Sequence, residues 1–167
     1  MVASAHSLAS AAGLHVLQEG GNAFDAAVTI GATLGVVEPH MSGVGGIGVA
    51  LSYVANEGRV RALDFSGKAP AAAEPSRFTD EAKDIGVLAP LVPGNPAGWL
   101  ALHERYGSLD TERLFKPAID YAENGFPVTS LTNSIIEESA PRLRRFPDSA
   151  PILLGVADRT PPAGSLL

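Results

Sequence analysis

The chain has 167 residues, 46% hydrophobic and 18% charged, a balance that suits one folded domain or a piece of a larger one and excludes a disordered tail. A formal charge of −6, with clustered positives only at Arg142, Arg144 and Arg145, leaves no basic face for nucleic acid. The absence of cysteine excludes a disulfide framework and a thiolate metal site, and His6, His15, His40 and His103 lack ligand spacing such as H-E-x-x-H.

The opening MVASAHSLAS has neither a basic nor a long apolar region and does not read as a signal peptide. Leu8, Ala11, Ala12, His15 and Val16 recur at helical spacing, which predicts a first helix from Ser7 to Glu19, capped by Ser7 and stopped at Gly20-Gly21. Asn22 is placed to cap a second helix with Asp25 in its first turn. The run AFDAAVTIGATLGVV is apolar on every side, so this helix should be buried; it carries an acid and is too short to span a bilayer.

Pro39 ends that helix and a glycine loop follows. The period then changes: Ile47, Val49, Leu51 and Tyr53 alternate with smaller or more polar neighbours, which predicts a strand. Asn56-Glu57-Gly58 supplies a turn, and Arg59 to Phe65 reads as the return strand of a hairpin. Ser66 to Pro93 is rich in Ala and Pro, with at most a short helix near Pro75 to Asp84.

Pro96 opens a third long helix through Trp99, Leu102 and Arg105, stopped by Gly107. A fourth runs from Asp110, its cap, to Glu123 and closes at Asn124-Gly125; Pro127 separates it from a fifth at about Ser130 to Glu138. The tail is proline-rich and ends on Leu166-Leu167 with nothing after them to bury their side chains, so the chain is expected to be cut there rather than finished. No βαβ unit and no internal repeat is visible.

The stretch GVGGIG fits G-x-G-x-x-G through Gly43, Gly45 and Gly48, with Asp64 about twenty residues on, where a dinucleotide fold places its ribose carboxylate. That fingerprint needs a strand entering and a helix leaving, so that helix N–H groups meet the pyrophosphate. Here a helix enters and a strand leaves. Two other readings stay open: Gly45 and Gly46 allow positive φ in a tight turn while Gly48 lets a backbone pass, or the loop leaves room beside a catalytic centre.

The residues MVASAHSLASAAGLHVLQEGGNAFDAAVTIGATLGVVEPHMSGVGGIGVALSY resemble the start of the large subunit of γ-glutamyltranspeptidases. LDFSGKAP, VPGNPAGWLALHERYG, FKPAIDYAENGFPV and PPAGSLL follow in the family's order, so the resemblance spans the chain but only the first part of that family's precursor. It implies an α+β fold: the N-terminal part of an αββα-sandwich N-terminal-nucleophile hydrolase, seen here as helices plus an antiparallel hairpin. Residues 1–167 are expected to be a partial large-subunit region.

The resemblance also implies an activity. A precursor of this type cuts itself before a downstream threonine, whose hydroxyl then attacks a γ-glutamyl amide with its own freed amine as base. All threonines here are internal, and trimming Met1 exposes only Val2, so this chain should be catalytically incomplete. Its expected partners are the downstream small subunit and a γ-glutamyl amide or related small molecule, with no nucleic acid, membrane segment, metal or organic cofactor.

One departure concerns the substrate. Where the family carries an arginine just after the strand to grip the α-carboxylate, this chain has Ser66, with Lys68 two residues later. Lys68 and Ser66 are therefore the candidate substrate contacts, against a solvated surface lysine. Asp25 reads as a first-turn acid, His40 as a packed loop histidine near the site, and Trp99 as a helix-packing residue. Two alternatives remain for the function: an acylase-type amidase of the same fold, suggested by Ser66, and a non-catalytic binding or structural protein that keeps this half of the fold. The gene sequence beyond Leu167 separates the last from the others.

Overall fold

The computed structural model describes residues 1–155 and 157–167. Its elements are α1 (Ser7–Gln18), α2 (Ala23–Val37), β1 (Val49–Val54), β2 (Arg59–Asp64), α3 (Asp80–Asp84), α4 (Asn95–Tyr106), α5 (Thr111–Asn124), α6 (Ser130–Leu143) and α7 (Ala150–Leu154). The class is α+β: helices around one antiparallel hairpin.

α2 is the central element because its apolar surface is broad enough to take α1, α4 and α5 at once. Val28, Ala32, Trp99, Leu102, Leu114 and Ala118 form the main core. The helix is set in place at its start. Asn22 Oδ1 accepts from the N–H groups of Phe24 and Asp25, and Asp25 Oδ2 accepts from Asn22 N–H at 2.9 Å, a reciprocal capping box. Both caps also reach across the fold: Asn22 Nδ2 donates to Tyr106 C=O at 2.7 Å, and Ser108 Oγ donates to Asp25 at 2.6 Å. The start of α2 is thereby bolted to the turn between α4 and α5.

The hairpin pairs Leu51 with Ala62 and Tyr53 with Val60. Ala50, Ser52 and Leu63 face α4, whereas Val49, Leu51, Tyr53 and Val60 form an outward apolar face, with Leu51 75% and Tyr53 65% exposed. The alternation read in the sequence is real, but its larger side chains point away from the helices.

Several expectations need correction. α1 is capped by His6, not Ser7: the imidazole Nδ1 accepts from Leu8 N–H at 3.2 Å. Asp110 is the N-cap residue of α5, yet its side chain makes no capping bond. α6 runs beyond Glu138 through Pro141, because a single proline removes one helical bond while Ile136 and Ala140 remain buried. α7 was hidden by the proline-rich composition; its Leu154 packs with Ile136 and Ala140.

Leu167 has partners after all. It packs on that cluster and exchanges backbone hydrogen bonds with Phe126 at 3.1 and 3.2 Å, leaving Leu166 exposed. Finally, neither Gly45 nor Gly46 has positive φ; that conformation is taken by Gly20 at the end of α1 and Gly58 in the hairpin turn.

Among the described residues, no helix is long and apolar enough to cross a membrane, and no His, Asp and Glu cluster is arranged to hold a metal.

Candidate functional site

The glycine loop between α2 and β1 folds over the start of α4. Gly46 C=O accepts from the N–H groups of Gly94 and Asn95 at 2.9 and 3.0 Å, and Asn95 Nδ2 donates to Gly43 C=O at 2.8 Å. A Cβ on Gly46 would lie 2.7 Å from Asn95 Nδ2, so this glycine is required by close approach rather than by its dihedral angles. The first N–H groups of the nearest helix start are thus committed to a loop carbonyl. A pyrophosphate cradle needs the reverse arrangement.

Phe65 holds the far side of this region. Its N–H donates to Gly48 C=O at 3.0 Å, and its ring lies over Gly48 and Gly98, where added Cβ atoms would overlap it. Sequence reasoning missed Asn95 and Phe65. The glycines that make room for the Phe65 ring, Gly48 and Gly98, are far apart in the chain, so no local pattern pointed to them.

Beyond Phe65 the chain turns on Asp64, whose Oδ1 accepts Ser66 N–H at 2.9 Å. The Ser66 hydroxyl and N–H hold the Asp64 carboxyl below its usual range by favouring the ionised form. Gly67 is wedged between Ile47 and Leu91, and Lys68 C=O accepts Val92 N–H at 3.0 Å. Ser66 and Lys68 therefore lie together, both exposed, in an open cleft of about 460 Å³ whose wall includes Gly94 and Ala97 from the start of α4. Lys68 takes part in none of the ion pairs among the described residues.

The other singled-out residues fall elsewhere. His40 lines a second open cleft, about 360 Å³, with Ser42 and the glycine loop, and this cleft also meets the start of α4 through Asn95. Asp25 is fully buried in its capping network, and Trp99 packs against Gly31 of α2. Neither reaches the cleft of Ser66 and Lys68.

Chemically, that cleft offers an exposed ammonium and a serine tied to a carboxylate. It contains groups suited to holding an anionic substrate, and no activated nucleophile.

Comparison with known proteins gives the chain relatives. Residues 9–167 match the family model described as gamma-glutamyltranspeptidase. The chain is 38% identical to the glutathione hydrolase proenzyme of Bacillus subtilis (strain 168), over 87% of this chain and 26% of that protein. It is 36% identical to the acylase ACY 1 proenzyme of Pseudomonas sp. (strain V22), over 92% of this chain and 30% of that protein. Its fold is similar to that of Helicobacter pylori gamma-glutamyltranspeptidase, with a TM-score of 0.95 and 37% identity over 100% of this chain and 50% of that one. The chain spans about a quarter to a third of the length of the curated relatives it matches.

Proposed function

This chain belongs to the gamma-glutamyltranspeptidase family, and from that premise we propose that residues 1–167 are the N-terminal part of an enzyme transferring a γ-glutamyl group to water or an amino acceptor. The nucleophile is the threonine that leads a downstream subunit after self-cleavage, the arrangement the family resemblance implies. The matched relatives bear the name proenzyme, which supports a precursor that is processed. Within 1–167, Thr29, Thr33 and Thr132 are buried in helices, and no threonine of this segment stands at a chain terminus where its own amine could serve as base.

The contribution of this chain is to bind and orient. Lys68 is the contact for the substrate's α-carboxylate, and the observation that carries this assignment is its position in one cleft with the first turn of α4. Lys68 is the one cationic side chain among the residues that line the cleft, so an anion bound there meets its charge. Ser66 lines the cleft where the family's arginine stands and lends only a hydroxyl. A lysine supplies a point charge without the two-bond fork of a guanidinium, so it grips the carboxylate less firmly.

That weakness favours a second reading, an acylase-type amidase whose acyl group has no α-carboxylate. The similarity to the acylase ACY 1 proenzyme supports it.

The intact protein distinguishes the two through kcat/KM for a γ-glutamyl anilide and for a butyryl anilide. A γ-glutamyl preference that falls roughly five- to tenfold in Lys68→Ala, the scale of one partly exposed charged hydrogen bond, supports the carboxylate contact. Ser66→Arg should raise the preference. A preference for the butyryl amide, unmoved by Lys68→Ala, transfers the assignment to the acylase reading.

A further inference from the structure

Asp64 is the last residue of β2, paired across the hairpin with Val49, and the next residue, Phe65, still donates its N–H to Gly48 C=O at 3.0 Å. The strand register therefore fixes where Asp64 stands. From there its side chain reaches forward over the turn, and Oδ1 accepts Ser66 N–H at 2.9 Å. An aspartate that accepts the amide two residues on holds the backbone between them in a turn. Two further restraints follow directly. A Cβ on Gly67 would press on the Val92 carbonyl and on Leu91, so the main chain runs hard against that segment, and Lys68 C=O accepts Val92 N–H at 3.0 Å. Among these restraints, the Asp64 bond is the one made by a polar side chain, and a substitution removes it while the backbone pairing stays.

Asp64 also lines the cleft that holds Ser66 and Lys68, and it forms no ion pair with Lys68. A negative charge in that cleft repels an anionic ligand. Its charge thus opposes the binding proposed there, and its favourable contribution is the hydrogen bond that shapes the turn.

We infer that Asp64 is a positioning residue for substrate recognition: by holding Ser66 N–H it sets the turn that presents Lys68 in the cleft, and it acts on the α-carboxylate only through Lys68. A turn held in advance leaves less freedom to be lost when the substrate is bound. This inference rests on the reading of Lys68 as the carboxylate contact. Asp64 and Ser66 are both exposed, so water takes the freed N–H when the carboxylate is removed and the fold is kept.

Steady-state kinetics of the intact protein with the γ-glutamyl and butyryl anilides test it, in wild type, Asp64→Asn, Asp64→Ala, Lys68→Ala and the double variant Asp64→Ala with Lys68→Ala. Asparagine keeps a side-chain oxygen for Ser66 N–H and removes the charge, so Asp64→Asn should hold or raise the γ-glutamyl preference. Asp64→Ala removes the acceptor, and the preference should fall roughly two- to fivefold, through KM rather than kcat. That fall should be smaller than in Lys68→Ala, because the Lys68 to Val92 bond remains. With Lys68 already alanine, Asp64→Ala should change the preference no further. Equal falls on both anilides in Asp64→Ala would mark a general structural loss and overturn the inference. So would a fall in Asp64→Asn as large as in Asp64→Ala, which would make the charge itself the contact, or additive falls in the double variant. If Lys68→Ala moves the preference and Asp64→Ala does not, the positioning role fails while the Lys68 contact stands; a preference unmoved by Lys68→Ala removes both.

Discussion

Burial alone would drive Asp25 toward its neutral form, yet hydrogen bonds from Ser108 Oγ and from backbone N–H groups of Asn22, Ser108 and Leu109 outweigh it and hold the carboxyl below its usual range. The folded state thus favours the carboxylate. Its stabilising contribution is complete above the unfolded value of about 3.9 and is lost as pH falls through the lower folded value. Thermal melts over that acid range should show a shallower pH dependence in Asp25→Asn than in wild type; an identical acid limb contradicts this role. Asp25→Ala, which removes the cap and strands Ser108, should cost about 2–3 kcal/mol. At Gly98 a methyl group would run into the Phe65 ring. Gly98→Ala should therefore cost about 1–3 kcal/mol, and Phe65→Leu in the same chain should cost less than the two changes summed. Strict additivity in denaturant melts would show that the ring and the glycine do not press on each other. The Asn22 and Asp25 caps were legible because a capping box is a local pattern. Ser108 lies 83 positions from Asp25, and no local rule connects them.

Among the elements, the hairpin carries the strongest physical imbalance. Its outward face presents Val49, Leu51, Tyr53 and Val60 to solvent, and apolar strand faces of this kind invite association. Residues 1–167 alone should sediment as concentration-dependent oligomers, and Leu51→Ser with Tyr53→Ser should shift them toward monomer. Unchanged association in the double variant would place the sticky surface elsewhere. The glycine loop leads to a different expectation. α2 enters it, β1 leaves it, and the α4 N–H groups beside it are already spent on Gly46. Adding NAD or ATP should leave the melting temperature unchanged, whereas a ligand at a hundred times its dissociation constant would stabilise by about 2.7 kcal/mol. A shift of that size would restore a nucleotide role. The long helices and the hairpin could be read from hydrophobic period and punctuation. α7 could not, because Pro151 stands in its first turn, Pro147, Pro161 and Pro162 lie on either side, and Leu154 is its one buried residue. Nor could the His6 cap, since histidine is not a usual capping residue.

At the scale of the molecule, α2 and its packed helices form the scaffold, and the glycine loop, Phe65 and the start of α4 form the surface set on it. Ser66 and Lys68 were singled out in the sequence because LDFSGKAP has serine where the family pattern has its arginine, with a lysine two residues later. Their shared cleft with α4 was not, since it depends on Gly67 fitting between Ile47 and Leu91 and on Phe65 fitting over Gly98. In the proposed function this surface binds the substrate, and a threonine outside residues 1–167 makes the bond. Mass spectrometry of the intact protein, quenched during turnover of a γ-glutamyl anilide, tests that division most directly. The expected result is a γ-glutamyl adduct on a threonine that leads a downstream subunit, with every peptide of residues 1–167 unmodified. An acyl adduct on a side chain within 1–167 would contradict it.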